Sequence, residues 1–474
     1  MSRLRRRYSV AEIGLQSAVG NSRLSSWFRY ARALQPHGWG HVRWNQFVAL
    51  SLIVDLALAT APSIALGLNS SNNTPFPTSK VITGASWSSA RHGPPSNQFG
   101  DILPTTWADD GNLYVLMDDG GTDAPGGGAL WRNSFARITG MPLANLQFQR
   151  IGNPPPAATR AQIRGNRARW SGALGHHYAN GFTSVEHVFY ATQVQDWNWN
   201  ANSQFAGLAG IAYSTDRGQS WRFPAKRFPG PSGSLNWVQW GQDAPAPDGY
   251  VYAIASNREF NGGWLVLGRS RPNIRDMTDP ARWQWASGLK SVRGRPRTVW
   301  SSSFARALAI VSWPGHITYP RMSYDVPLHR YLLTFTYSFA ATPPAIWRNG
   351  SELVMLEAPH PWGPFSFVAR GDYFGPSNGY DPAFPEKWIS ANGQDLWMIY
   401  AANFAGCAAG LPCSGGYGFN YQRIHLTLAA HRASEARQRP ASGPPRPLPP
   451  GRALTRPSTL PPFELPRLYL SPGR

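Results

Sequence analysis

The stretch GDILPTTWADDGNLYVLMDDGG, residues 100–121, decides the fold class because it has the pattern of a β-hairpin with acids at its open end. Two runs suited to β-strands, 102–108 and 113–117, flank an Asp-Asp-Gly-Asn turn. The glycine of this turn tolerates the positive φ that tight hairpin turns require. The segment therefore predicts two antiparallel strands.

The register of this hairpin determines which acids meet. We expect Ala108 to pair with Leu113 across the turn. Ile102 then lies opposite Asp119, and the preceding Asp101 becomes a neighbour of Asp119 at the open end. Two carboxylates held together repel each other unless a ligand, a cation or a shared proton relieves the repulsion, and glycosidases use such pairs as acid and base.

Strand alternation leaves a second choice open. Asp118 and Asp119 point to opposite faces of the strand, and a shift of the register by one residue exchanges them. The structural interpretation is that these acids are solvated loop residues beside glycines. The residues of the hairpin alone do not decide between these interpretations.

Composition indicates an all-β protein. The 474 residues include 13% aromatic residues, 21 Trp, 47 Gly and 43 Pro, but only 15% charged residues. Helices with long polar faces need more charged residues than this, whereas many short strands separated by turns fit the composition.

The net charge of +20 lies largely in the two ends of the chain. Residues 1–46 hold eight Arg against Glu12, and residues 431–474 hold eight Arg against two Glu. A protein that binds nucleic acid usually concentrates its charge on the folded face that docks. We therefore expect no nucleic-acid partner.

The ends also indicate how the chain is organised. Residues 47–68 form an apolar run with one charge, which we interpret as a signal or membrane-anchor segment after the basic leader 1–46. This predicts a secreted or cell-envelope protein. A polar linker, 69–80, follows, and the Pro- and Arg-rich segment 431–474 predicts a disordered tail.

The sequence indicates neither a metal nor a cofactor. Its two cysteines, Cys407 and Cys413, could close a small loop in an oxidising compartment. They lack the nearby His or Cys partners of a zinc site, and no stretch resembles a dedicated calcium loop.

Between the ends, residues 81–430 repeat a unit of approach strand, turn, aromatic-rich strand and a strand that ends near Trp. We count five such units, spaced by roughly 60 to 80 residues, which is typical of four-stranded propeller blades. One unit cannot bury both faces of its sheet, so neighbours must stack around an axis. The fold prediction is an all-β, five-bladed β-propeller, and we expect a monomer.

The segment Ser214–Trp221, STDRGQSW, matches the Asp-box Ser-x-Asp-x-Gly-x-Ser/Thr-Trp. In this motif Asp and Gly close a hairpin turn and Trp packs beneath it. The motif occurs in sialidases and in propellers without activity, so it supports the fold more than a function. An exo-sialidase would also need three Arg that converge on a substrate carboxylate.

Further polar residues lie near the predicted starts of inner strands, where a propeller funnel would be lined. Each has a structural explanation as well, such as a turn, a cap or an internal ion pair. The candidate catalytic residues are Asp101, Asp119, Asp243 and Glu386, and the candidate substrate-binding residues are Asp118, His176, His177, Asp381, Lys387 and Trp388.

Four segments resemble a bacterial and fungal family of five-bladed propellers that was long catalogued as a domain of unknown function and that includes endo-D-arabinanases. They are WADDGNLYVLMDD at 107–119, WGQDAPAPDGYVY at 240–252, YPRMSY at 319–324 followed by HRYLLT at 329–334, and PAFPEKWIS at 382–390. The resemblance covers roughly residues 80–430.

The resemblance implies an acid before the first strand and another just after the Tyr-containing strand. These positions are Asp101 and Asp119 here, which favours Asp119 over Asp118. Relatives usually have Gly-Asp where this chain has Asp118-Asp119. We therefore expect an exported glycoside hydrolase that acts on a polysaccharide such as an arabinan, or alternatively a catalytically silent propeller that serves as a carbohydrate-binding or envelope scaffold.

Overall fold

The described strands form five blades around one axis, and hydrogen bonds between the strands Ser234–Gln239 and Ala309–Asp325 join two of the blades into one nine-stranded sheet. The structure is a computed structural model that describes residues 73–93, 95, 98–122, 133–152, 178–194, 209–222, 224, 226, 228, 234–258, 260–292, 295–338, 350–371, 378–403 and 416–430. The strands in chain order are β1 (Ile82–His92), β2 (Gln98–Asp101), β3 (Thr105–Trp107), β4 (Leu113–Thr122), β5 (Asn133–Thr139), β6 (Gln147–Arg150), β7 (Tyr178–Val185), β8 (Val188–Val194), β9 (Ala209–Ser214), β10 (Ser234–Gln239), β11 (Val251–Ser256), β12 (Gly262–Ser270), β13 (Gln284–Val292), β14 (Arg295–Ser301), β15 (Ala309–Asp325), β16 (Arg330–Ser338), β17 (Ser351–Ala358), β18 (Ser366–Gly371), β19 (Gly379–Ala383), β20 (Asp395–Ala402) and β21 (Asn420–Leu428). A short α-helix, α1 (Ile274–Met277), follows β12.

Each blade is a run of antiparallel neighbours that starts with an inner strand. Blade 1 contains β2 and β3 beside β4, β5 and β6, and blade 2 contains β7, β8 and β9. Blade 3 runs from β10 to β13 with β14 beyond it, and blade 4 runs from β15 to β18. Blade 5 has the order β19, β20, β21, β1, so the first described strand completes the last blade. The prediction of an all-β propeller with five units is confirmed.

The apolar core is divided among the interfaces between blades. The described residues contain five hydrophobic clusters, and each joins two neighbouring blades. Strand β4 shows why, because Leu113 and Val115 pack toward blade 5 whereas Tyr114 and Leu116 pack toward blade 2. Alternate side chains of a strand point to opposite faces, so every blade is buried on both sides and the ring must close.

The inner strands are irregular at the positions where they begin. The register shifts between Phe99 and Asp101 in β2, near the start of β7, and within β19. In β15 it shifts between Thr318 and Arg321, where the part of the strand that pairs with β16 begins. Three non-glycine residues of this region, Ile102, Tyr319 and Asp381, have φ of 46°, 47° and 56°. Such backbone conformations are strained, and β-bulges and strain of this kind concentrate next to functional sites.

The Asp-box adopts the predicted turn. Asp216 accepts hydrogen bonds from the Ser214 and Ser220 hydroxyls at 2.7 and 2.5 Å. Gly218 has φ of +86° and lies against the ring of Phe135. The Trp221 ring packs edge-on against Phe135, with ring centroids 5.7 Å apart.

The segment that sequence analysis treats as a linker is packed in its described part. Phe76 is buried in the cluster between blades 3 and 4, and the Ser79 hydroxyl donates to Glu357 at 2.6 Å. Residues 73–80 therefore belong with blade 4, because Phe76, their one large apolar side chain, is buried in its core. The basic leader, the segment 47–68, the tail 431–474 and both cysteines lie outside the described residues. No helix within the described ranges has the length and apolarity to cross a membrane.

Candidate active site at the axis of the propeller

The axis of the propeller contains a narrow cavity to which every blade contributes. It is lined by Pro104, Thr105, Phe182, Trp237, Gln239, Arg321, Met322, Ser323, Ala383 and Phe384. The inner strands β10 and β15 run parallel, so the inner strands begin at one end of the axis, called here the upper end. The volume of this cavity is about 20 Å³, which is room for one or two waters.

A buried polar layer lies on the upper side of the cavity and is centred on Arg321. The guanidinium Nε of Arg321 donates to Asp381 Oδ1 at 2.6 Å. Its Nη1 donates to the side-chain oxygen of Asn236 and to the backbone carbonyl of Asn180, each at 2.5 Å. Arg321 therefore links the inner strands of four blades, which are blades 2, 3, 4 and 5, through its hydrogen bonds.

Both carboxylate oxygens of Asp381 accept a hydrogen bond. Its Oδ2 accepts the backbone N–H of Leu103 at 2.7 Å, which joins blade 5 to blade 1. The side chain is fully buried, and this burial raises the pKa of Asp381 while the charge and hydrogen bond of Arg321 oppose the rise. Asp381 therefore closes the polar layer and is not open to a ligand.

Asp101 lies at the upper end beside this layer. It is 8% exposed, and its Oδ2 accepts a hydrogen bond from the Tyr380 hydroxyl at 2.8 Å. Tyr380 directly precedes Asp381, so strand β19 supports both carboxylates.

The register of the hairpin differs from the prediction. Trp107, not Ala108, pairs with Leu113, and Asp101 lies opposite Asp118. At the turn, the N–H of Ala108 donates to the Asn112 carbonyl, so the hairpin is one residue out of the expected register there. A further shift occurs between Phe99 and Asp101, at Gly100, whose φ of +122° and close approach to the Asp118 carbonyl favour glycine. A Cβ at Gly100 would lie 2.6 Å from that carbonyl oxygen.

Asp118 and Asp119 are consequently placed differently from expectation. Asp118 is the residue opposite Asp101, and it is 2% exposed. Asp119 follows in β4, and its side chain lies outside the described part of the structure. Strand alternation puts successive side chains of a regular strand on opposite faces.

Asp243 lies at the lower end of the axis, which corrects the expectation that it precedes an inner strand. The inner strand of blade 3 is β10, and Asp243 follows it. Its carboxylate accepts the Ser184 hydroxyl at 2.5 Å and the backbone N–H of His187 at 2.9 Å. Its own N–H donates to the Trp107 carbonyl at 2.8 Å. These contacts fix the loops that end three inner strands.

Glu386 and its neighbours also follow an inner strand, because the 3₁₀ turn Glu386–Trp388 comes after β19. Glu386 is 7% exposed, and burial raises its pKa to about 8. Lys387 donates to the carbonyl of Gly111 at 2.6 Å, at the lower end of blade 1. Trp388 is buried in the cluster between blades 5 and 1, with its ring edge-on to Phe419. None of these three side chains reaches the polar layer.

The remaining predicted residues, His176 and His177, lie outside the described residues. Within the ranges that the structure covers there is no cluster of three His, Cys, Asp or Glu side chains that could hold a metal ion. Sequence reasoning missed Arg321, Asn236 and Asn180. Arg321 had a usable signal, because it belongs to the YPRMSY segment and follows a proline at the start of an inner strand.

No protein-family model matches the sequence, and no curated protein matches it. Solved structures with a similar arrangement include the α-L-arabinofuranosidase PaAbf62A from Podospora anserina in complex with cellotriose. It is 13% identical, with 74% of this chain and 99% of that chain covered and a TM-score of 0.40. The GH43_1 enzyme from Xanthomonas citri complexed with xylotriose is 14% identical, with 72% and 92% covered and a TM-score of 0.39. The Bombyx mori GH32 β-fructofuranosidase BmSUC1 is 12% identical, with 71% and 64% covered and a TM-score of 0.40. The evidence for the five-bladed arrangement is therefore the pairing of the strands described above.

Proposed function

We propose that the protein is a glycoside hydrolase that acts on a polysaccharide at the upper end of the propeller axis, with Asp101 and Asp119 as the acid and base pair. The observation that supports the proposal is the position of Asp101, the last residue of β2, which lies opposite Asp118 in the strand that also carries Asp119. Paired carboxylates on a rigid scaffold are the chemistry by which glycosidases cleave their substrates.

The role of Asp118 in the proposal follows from its burial. Asp118 is 2% exposed, too buried to exchange a proton directly with a polymer, so its role is to position Asp101 and set its charge. Asp119 remains the second catalytic carboxylate of the proposal, as the sequence predicts. Tyr380 holds Asp101 through a hydrogen bond of 2.8 Å and would keep one carboxylate oxygen oriented.

The substrate class is proposed from the resemblance of four sequence segments to a family with endo-D-arabinanases. An arabinan is therefore the first substrate to test. Export through residues 47–68 is part of the same proposal, because a polysaccharide of this kind lies outside the cytoplasm. A sialidase is less well supported, since Arg321 is the only arginine among the residues that line the described cavity and its carboxylate partner is Asp381.

The test is reducing-sugar release from a glycan panel that includes arabinans, together with binding of the same glycans. Release from at least one glycan by the wild type supports the proposal. Binding without release from any glycan would reject the hydrolase and support a glycan-binding propeller.

A catalytically silent scaffold is the second candidate, and one observation favours it. The polar layer is locked by the ion pair of Arg321 and Asp381, and the cavity beneath it has room for water only. A scaffold predicts that no glycan is cleaved, whether or not one is bound, and that Asp101→Asn changes neither release nor binding.

A further inference from the structure

Phe99 differs from the other aromatic residues in its exposure. Of the Phe, Tyr and Trp side chains that the structure describes, it is the exposed one, at 41%, and the others are buried or half-buried. The other described aromatic side chains of blade 1 belong to the hydrophobic clusters between blades, and they are Trp107, Tyr114, Phe135 and Phe148. Phe99 belongs to none of the five clusters of the described residues. Its ring therefore contributes little to the apolar core.

Phe99 lies beside the candidate acid Asp101. The strand β2 pairs Phe99 with Gly121 and Asp101 with Asp118, so the extra residue at this irregularity belongs to β4 and not to β2. Side chains two residues apart in a strand lie on the same face, about 6.5 Å apart along the strand. Phe99 and Asp101 therefore share one face of β2 at the upper end of the axis.

The backbone that carries the ring of Phe99 is fixed tightly to β4. A Cβ at Gly120 would lie 2.4 Å from the carbonyl oxygen of Phe99, so the two strands approach closely. One residue earlier, the buried side chain of Gln98 accepts a hydrogen bond from the Thr122 hydroxyl at 2.7 Å. Gly121, directly opposite Phe99, has no side chain that could cover the ring. The ring is thus presented to solvent from a rigid element, as a binding site requires.

We propose that Phe99 is a stacking platform for the sugar residue next to the bond that is cleaved at Asp101, an inference that rests on the proposed function. Single exposed apolar side chains are common on protein surfaces, so exposure alone assigns no role. The argument is the position of the ring, on the same face as the acid and two residues from it. An aromatic face packs against the apolar C–H face of a sugar ring while the sugar hydroxyls stay in water. Phe99 would thereby position the glycan for Asp101 without taking part in proton transfer.

The experiment measures glycan binding and cleavage by the full chain, with soluble oligosaccharides of the glycan panel as probes and arabino-oligosaccharides first. Binding is measured by calorimetry on Asp101→Asn, so that the probe is not consumed. Adding Phe99→Ala to this variant should weaken binding roughly tenfold, and Phe99→Trp should restore it, because a stacked ring contributes about one order of magnitude to affinity. In the protein that retains Asp101, Phe99→Ala should raise KM by a similar factor and leave kcat within about twofold, as loss of uniform binding does.

The matched control is Met141→Ala, which removes a side chain of the same 41% exposure from the turn after β5, at the lower end of blade 1. Both KM and affinity should be unchanged in this control. Unchanged KM and affinity in Phe99→Ala, with cleavage intact, would overturn the platform and leave the proposed function standing. Binding that depends on Phe99 without cleavage by the wild type would support the platform and reject the hydrolase.

Two further outcomes would reject the platform. The first is a wild type that binds none of the glycans. The second is a change in sedimentation of Phe99→Ala relative to the wild type, because the ring would then belong to a contact between copies of the chain.

Discussion

Arg321 and Asp381 form a buried ion pair between the inner strands of blades 4 and 5, with Nε and Oδ1 2.6 Å apart. The arginine side chain is 8% exposed and the aspartate is fully buried. Because the same arginine also binds Asn236 and Asn180, the pair fixes the spacing of the inner strands on which Asp101 depends.

Arg321→Met should destabilise the protein strongly, because it leaves a buried carboxylate without its counterion. Removal of one partner of a buried pair costs about 3–5 kcal/mol. Urea unfolding measures this loss. The control is Arg423→Met, whose pair with Asp395 is largely exposed and should cost less than about 1 kcal/mol. Similar losses of stability in the two variants would show that the buried axial pair stabilises the protein no more than an exposed ion pair does.

Glu386 should make stability depend on pH. Burial raises its pKa to about 8, whereas the unfolded chain has the ordinary value of 4.5. Between these values the folded protein holds a proton that the unfolded chain releases. The contribution of Glu386 to the free energy of unfolding is therefore complete below pH 4.5. It falls by about 1.4 kcal/mol per pH unit as the pH rises, and it is lost above pH 8.

Glu386→Gln should make this slope shallower and make the protein more stable than wild type at pH 8; burial raises the pKa of Asp325 to about 7, so a slope from that carboxyl remains below pH 7. The measurement is the free energy of unfolding from pH 5 to pH 9. Glu186→Gln changes an exposed glutamate and should keep the wild-type slope. A slope in Glu386→Gln as steep as that of the wild type would show that Glu386 does not contribute to it.

Gly120→Ala should separate Asp101 from Asp118. A Cβ at Gly120 would collide with the carbonyl of Phe99, so the two strands must move apart. We expect a loss of about 1–3 kcal/mol in thermal or urea unfolding, and lower glycan hydrolysis. Gly84→Ala is the control, since no atom lies within 4 Å of its added Cβ. Normal activity in Gly120→Ala would argue against a strict requirement for this strand spacing.

Asp216→Ala should lower stability without affecting hydrolysis. The carboxylate of Asp216 orders the Asp-box turn through Ser214 and Ser220, so its removal should cost about 1–2 kcal/mol. Thr215→Ala alters the exposed neighbouring position and serves as the reference in the melting experiment. Loss of hydrolysis in a folded Asp216→Ala variant would mean that the box has a functional role.

The sequence predicted the blades because their signal is local. Alternating apolar residues and turn residues specify hairpins, and a blade with two apolar faces must be covered on both sides. The register at Asp101 was not predictable in the same way, because Gly100 and Ile102 leave the regular strand geometry. A backbone irregularity of one residue exchanges Asp118 and Asp119.

The polar layer depends on contacts between distant positions. Arg321 and Asp381 are 60 residues apart, and no local pattern marks one arginine among so many as the partner. Asp243 was assigned to the wrong end of the axis because the strand after it, Val251–Ser256, resembles an inner strand in its apolar residues. Only the pairing with β10 shows it to be the second strand of the blade.

The most direct test of the account is the rate of glycan hydrolysis by Asp101→Asn, measured on the glycan that the wild type cleaves fastest. A general acid or base contributes about 10²–10⁴-fold, so the account predicts a fall of at least about 100-fold in kcat/KM with the melting temperature and glycan binding nearly unchanged. The kcat/KM of Asp119→Asn should fall as far. The kcat/KM of Asp118→Asn should fall less, and the pH profile of hydrolysis should shift in that variant. Hydrolysis by folded Asp101→Asn at the wild-type rate would contradict the account.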